Sequence, residues 1–85
     1  MKRIVLRQER ITIKPTLKIL YELILDNRKY TIRCTEIHSL SRERAVEEVT
    51  GFTRSKQRAE EIFKLLVDNS ACVGTVEDII SDQMC

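Results

Sequence analysis

The sequence predicts a small α+β protein: an antiparallel sheet of three to four strands in the N-terminal half, covered on one face by two C-terminal helices. Two patterns indicate this fold. Apolar residues recur at every second position through residues 17–25, as in a strand with one buried face. In residues 59–67 they recur at helical spacing and form a stripe that needs an apolar surface to cover. A chain of 85 residues is expected to form a single domain, residues 1–85.

The first predicted strand covers residues 3–13, but its apolar positions change phase. The even positions are Ile4 and Leu6, and the odd positions are Ile11 and Ile13. A single flat strand cannot hold both sets on one face. We therefore expect either a bulge near residues 8–10 or a turn that splits the strand.

The next two predicted strands, about 16–25 and 29–37, form a hairpin. Five apolar side chains of the first share one face: Leu17, Ile19, Tyr21, Leu23 and Leu25. The polar segment 26–29 separates the strands, and its Asn27 tolerates the left-handed conformation that tight hairpin turns require. Tyr30, Ile32 and Cys34 then alternate with polar residues, as in a returning strand.

Residues 39–50 fit two interpretations. Ser41 can cap a helix whose apolar face is Ala45, Val46 and Val49. Alternatively, residues 45–50 form a mostly polar fourth strand at the edge of the sheet, which is the interpretation that we favour. Gly51 is expected to end either element.

Two helices are predicted in the C-terminal half, about 54–68 and 76–83. Thr53 or Ser55 supplies a cap for the first helix. The segment that begins at Thr75 resembles a capping box for the second helix, with acidic residues where the helix dipole favours them.

Four of these segments occur in the same order in a known group of proteins. They are the strand with Tyr21, the returning segment 29–32, the leucine-rich helix end 65–69 and the acidic segment 76–80. Through them the chain resembles, over residues 17–82, a family of short uncharacterised Firmicutes proteins. The family pattern has glycine where this chain has Thr31 and proline where it has Gly74. The resemblance supports the fold and implies no particular activity.

Composition argues against several functional classes. The sequence has one histidine, no nucleophile elbow and no glycine-rich phosphate loop, so we expect no enzyme and no cofactor. No apolar run reaches the length of a signal core or a membrane span. Three cysteines without a close pair are typical of a reducing compartment, which predicts a cytoplasmic protein.

A small zinc-stabilised domain is a further interpretation. Its candidate ligands are Cys34, His38, Cys72 and Cys85. Zinc holds its ligands ~2.0 to 2.3 Å away in a tetrahedron. If one extended strand joins Cys34 to His38, both cannot reach the same ion. The site therefore requires a strand that ends near Thr35.

Charge is distributed unevenly and predicts a binding function. The first 33 residues contain nine basic and three acidic side chains, whereas residues 67–85 contain four acidic and no basic ones. Helix dipoles disfavour cations at a helix start, yet basic residues cluster there. The candidate contact residues are Arg54, Lys56 and Arg58 with Arg7 and Arg10 of the first strand. We expect them to bind a protein partner, so that the protein acts as a small regulatory or inhibitory module. The alternative is a nucleic-acid-binding protein that uses the same patch, and a homodimer is compatible with either.

Overall fold

Four strands and two helices make up the part of the chain that the structure, a computed structural model, describes, which is residues 3–84. The elements are β1 (Arg3–Lys14), β2 (Leu17–Asp26), β3 (Lys29–His38), β4 (Arg44–Thr53), α1 (Lys56–Asp68) and α2 (Val76–Met84). The strands pair antiparallel in the order β1-β2-β3-β4, and both helices follow the sheet in sequence. The predicted α+β fold is confirmed.

β1 is continuous and contains two irregularities. Its register against β2 shifts between Val5 and Arg7 and again between Thr12 and Lys14. The expected change of phase therefore comes from a bulge, and no turn splits the strand. The predicted location near residues 8–10 was wrong, because the extra residue is Leu6. With this bulge, Ile4 and Ile11 lie on the same face of the sheet.

The β2–β3 hairpin has the predicted turn. The turn residues are Asn27 and Arg28, with φ of 53° and 66°. Positive φ at both positions defines a turn whose twist matches that of the flanking strands. Pairing then runs without interruption from Asp26↔Lys29 to Leu17↔His38.

Residues 44–53 form a strand, so the helical alternative capped by Ser41 is wrong. Val49 pairs with Ile32 of β3 and packs against the core. The strand also continues past Gly51, contrary to the expectation that this glycine ends it. Gly51 has φ of 59°, and its backbone N–H donates to Thr31 Oγ1 at 3.1 Å. Its freedom at positive φ permits an irregularity in the sheet without ending β4.

α1 covers the sheet with the predicted apolar stripe. Its buried side chains are Ala59, Ile62, Phe63 and Leu66, which meet the buried face of β2 and β3. Ser55 is the N-cap, since its side chain accepts from Arg58 N at 3.2 Å, and the helix begins at Lys56 instead of the predicted 54. Neither helix of residues 3–84 combines the length and apolar content needed to cross a membrane.

The start of α2 is held differently from the prediction. Thr75 Oγ1 donates to Cys72 O at 2.8 Å, and the expected capping box is not what holds the helix. Instead, Glu47 of β4 accepts from the backbone N–H groups of Gly74 at 2.8 Å, Val76 at 3.2 Å and Glu77 at 3.2 Å. A carboxylate distant in sequence therefore satisfies the helix N-terminus.

Candidate functional site

The five basic residues predicted to bind a partner do not form one patch. Arg54 and Lys56 are exposed at the start of α1, and Arg7 of β1 lines a groove together with Lys56. Arg10 pairs with Leu20 and projects from the face of the sheet opposite the helices, because its neighbours Glu9 and Ile11 lie on the helix side, opposite Tyr21 and Ile19. The structure thus brings Arg7 towards the basic start of α1 and separates Arg10 from it.

Arg58 is engaged within the protein. Its guanidinium lies 3.5 Å from Glu61 Oε1 on the same helix and donates to the backbone carbonyl of Gln83 in α2. This side chain ties the two helices together. Arg54 and Lys56, by contrast, form no salt bridge within residues 3–84.

A groove lies between β1 and α1, beside Arg7 and Lys56. It encloses about 310 Å³ beside β1, and its lining consists of Arg7, Glu9, Phe63, Lys64, Val67 and Asp68. The groove continues towards the start of α1, where it is lined by Arg7, Lys56, Gln57, Glu60, Glu61 and Lys64. Its lining combines basic and acidic groups with two apolar side chains, Phe63 and Val67. Such a mixed lining complements a mixed protein surface better than a polyanion.

No match was found when the chain was compared with protein-family models, with curated proteins and with solved structures. The resemblance to short Firmicutes proteins accordingly stays a prediction.

The face of the sheet opposite the helices carries a charge network that the sequence analysis missed. Glu22 is 7% exposed although no helix covers it, and its carboxylate accepts from Arg33 Nε at 2.8 Å. This hydrogen bond raises the pKa of Arg33. Arg3 extends the network, at 3.2 Å from Asp26 and 2.8 Å from Glu48. The one available signal was a glutamate between Leu20 and Ile24, the two apolar residues on the second face of β2.

Two further carboxylates on the helix side anchor the connector before α2. Glu47 binds the helix start as described above, and Glu36 Oε2 accepts from Val73 N at 2.8 Å. The other oxygen of Glu36 lies 3.3 Å from His38 Nε2. These acids are engaged by backbone groups of the chain, so they belong to the fold.

The aromatic side chains are not displayed for stacking. Tyr21, Tyr30 and Phe63 are buried, and Phe52 is half-buried against the core. Proteins that bind single-stranded nucleic acid usually present aromatic rings to the bases. The surface therefore offers exposed charge but few aromatic rings on which bases could stack.

The proposed zinc ligands do not converge. β3 runs unbroken from Cys34 to His38, which places these residues ~13 Å apart at 3.3 Å per residue. Residues 3–84 contain no group of three or more His, Cys, Asp or Glu side chains arranged to hold a metal ion. Cys72 is exposed on the connector, and Cys85 lies outside the described residues.

Burial holds the two titratable groups at the centre of the core in their neutral forms. It raises the pKa of the Cys34 thiol to about 12, with smaller effects from the charges of Glu36 and Glu47. Burial likewise raises the pKa of Tyr21, whose hydroxyl donates to Ala71 O at 2.6 Å. A thiol that stays protonated at neutral pH is a poor nucleophile, so Cys34 acts as a packing residue.

Proposed function

We propose that this protein is a non-enzymatic binding module that regulates or inhibits a protein partner by stoichiometric binding. The observation that carries the proposal is the exposed basic start of α1, where Arg54 and Lys56 have no salt-bridge partner within residues 3–84. Lys56 is also unfavourably placed with respect to the helix dipole. No salt bridge within residues 3–84 offsets this unfavourable interaction of Lys56 with the dipole. This is consistent with a role for Lys56 in contacting a partner.

The groove that continues from this site supports a protein partner over nucleic acid. Acidic residues line it in numbers close to those of the basic ones, and phosphates would be repelled by Glu60 and Glu61. The buried aromatic residues point in the same direction. The proposal also places the protein in the cytoplasm, since reduced cysteines such as Cys34 and Cys72 persist in reducing compartments.

The test is capture from a bacterial lysate, with and without nuclease, followed by affinity measurement with the purified partner. Reversal of both charges, Arg54→Glu with Lys56→Glu, is expected to weaken binding at least about 10-fold, because paired interface charges commonly contribute more than 1.4 kcal/mol together. The fold should persist, since an acidic residue in the first turn suits the helix dipole.

The matched control reverses the same number of charges elsewhere, with Lys14→Glu and Lys18→Glu, which are exposed and outside the groove. This control should bind like the wild type. Equal affinity of the wild type and the Arg54/Lys56 variant would refute the assigned surface. Loss of all captured proteins after nuclease treatment would refute the protein partner and favour nucleic acid.

A further inference from the structure

β1 is an edge strand that the rest of the described chain leaves largely uncovered. It pairs with β2 on one side only, and eleven of its twelve residues are exposed. Among them are large apolar side chains: Ile4 at 51%, Val5 at 47%, Leu6 at 40% and Ile13 at 41% exposure. Long edge strands with apolar residues readily pair with another strand, because their backbone N–H and C=O groups lack partners.

The bulge at Leu6 gives β1 a self-complementary order of side chains on its helix-side face. The register with β2 places there, in sequence, Ile4 opposite Leu25, Arg7 opposite Leu23, Glu9 opposite Tyr21 and Ile11 opposite Ile19. In one direction the face therefore presents apolar, basic, acidic, apolar. In the other direction it presents apolar, acidic, basic, apolar. Without the extra residue at Leu6, Ile4 would lie on the opposite face.

We propose that β1 pairs antiparallel with β1 of a second copy of this chain, about a two-fold axis at Gln8. The axis is perpendicular to the sheet, so helix-side residues meet helix-side residues. In this register Arg7 faces Glu9 of the second copy and Ile4 faces Ile11, and each pair occurs twice. Opposite charges and apolar residues directly across an antiparallel pair both stabilise it.

The side chains on the opposite face of β1 are compatible with the same register. Gln8 meets Gln8, Val5 meets Arg10 and Arg3 meets Thr12. Like charges therefore never face each other across the seam, by which we mean the line of contact between the two copies of β1. An axis at Arg7, Glu9 or Arg10 would instead oppose two identical charges. An axis at Ile11 would leave the N-terminal half of β1 unpaired. Charge complementarity thus selects one register among those that use the strand from Arg3 to Thr12.

The charges that define the seam are available. Neither Arg7 nor Glu9 forms a salt bridge within residues 3–84. The dimer goes beyond the proposed binding function and does not depend on it, because Arg54 and Lys56 lie outside the seam. Sedimentation of the purified protein tests the dimer, whereas affinity for a partner tests the binding surface at Arg54 and Lys56. One proposal can therefore be refuted while the other stands.

The first experiment is sedimentation equilibrium of the wild type over a concentration series up to the millimolar range. A monomer–dimer equilibrium is expected, and a monomer throughout would overturn the proposal. Arg7→Glu should weaken the dimer roughly 10- to 100-fold, since two attractive pairs become repulsive. The double variant Arg7→Glu with Glu9→Arg restores both pairs with the charges exchanged and should dimerise like the wild type.

Lys14→Glu is the matched control, with the same change of charge on the same strand but beyond the paired segment, and it should leave the dimer unaffected. Circular dichroism of every variant shows whether the fold persists. A folded Arg7→Glu variant that dimerises like the wild type would overturn the proposed seam. So would a folded double variant that remains as weak as Arg7→Glu.

The second experiment tests the register directly. Gln8→Cys, in a background of Cys72→Ser and Cys85→Ser, should form an intermolecular disulfide on mild oxidation because the two positions are adjacent across the axis. Thr12→Cys in the same background is the control, since its two copies lie ~26 Å apart at 3.3 Å per residue. Equal cross-linking of both variants would overturn the register, as would none at Gln8→Cys.

Discussion

At the scale of single residues, the β2–β3 turn contains the clearest local strain. Asn27 and Arg28 both have positive φ, at 53° and 66°. Asparagine tolerates this region because its short side chain forms local hydrogen bonds, whereas arginine has no such compensation. The favoured sequence for this turn is Asn-Gly, so Arg28 occupies the position where glycine would be expected.

Replacement of Arg28 with glycine should therefore stabilise the protein. The left-handed conformation costs about 1 to 2 kcal/mol for a residue with a Cβ, and the greater flexibility of glycine in the unfolded chain returns part of that gain. We expect a net increase of about 0.5 to 1 kcal/mol in the free energy of unfolding, measured by urea denaturation. Lys29→Gly, one residue later in β3, should lower it, and a loss of stability in Arg28→Gly would contradict the assignment of strain.

At the scale of elements, α2 depends on a residue from another element. A nine-residue helix is too short to be stable in isolation, so its position and its end contacts determine whether it forms. Glu47 supplies the N-terminal contacts from β4 through both of its carboxylate oxygens. Val76 and Ile80 bury the other side of the helix against the core.

Glu47→Ala should loosen α2 selectively. Loss of the acceptor leaves three backbone N–H groups without this partner, and we expect the free energy of unfolding to fall by about 1 to 2 kcal/mol. Helical circular dichroism and amide hydrogen exchange in α2 measure the effect. Glu47→Gln retains one carbonyl acceptor and should lose less. Glu43→Ala, an exposed glutamate just before β4, serves as the control and should change little.

The positions of the elements could be predicted because periodicity follows directly from burial. The hairpin of β2 and β3 and the stripe of α1 each place apolar residues on a single face. The bulge at Leu6 was misplaced because four polar residues, 7–10, separate the even and odd apolar sets. An extra residue anywhere from Leu6 to residue 10 changes the phase equally well. The role of Glu47 could not be predicted from sequence, since it depends on which strand lies beside the start of α2.

At the scale of the whole molecule, the core holds two groups that ionise only at high pH. The Cys34 thiol and the Tyr21 hydroxyl both lie at 0% exposure between the sheet and the connector. Burial raises the pKa of Cys34 from an ordinary value of 9.0 to about 12, and the pKa of Tyr21 rises in the same direction. Each group binds its proton more tightly in the folded state.

Stability should therefore fall in alkaline solution. The contribution of Cys34 is fully present below about pH 9, where the thiol is protonated in both states, and is lost as pH rises towards 12. The slope is at most about 1.4 kcal/mol per pH unit for each group. Urea denaturation between pH 7 and 11 measures it. Cys34→Ala should show a shallower decline than the wild type, and an identical slope in the two would contradict this origin.

The candidate site was predicted less completely than the fold. The exposed positions of Arg54 and Lys56 follow from their place before the apolar stripe of α1. Arg7 and Arg10 could not be separated by face without the location of the bulge. The contact of Arg58 with Gln83 depends on how α2 packs against α1, and nothing in the sequence near Arg58 indicates that packing.

The order of the elements along the chain also determines how long the apolar face of the sheet is uncovered during synthesis. Synthesis proceeds from the N-terminus, so the ribosome completes β2 and β3 before either helix exists. At about 5 to 20 residues per second, the 30 residues between the end of β3 and the end of α1 take roughly 1.5 to 6 seconds to synthesise. During this time, Ile19, Tyr21, Leu23 and Ile32 have no helix to cover them. Until α1 closes over the sheet, the nascent chain therefore exposes apolar strand surface of the kind through which incompletely folded chains aggregate.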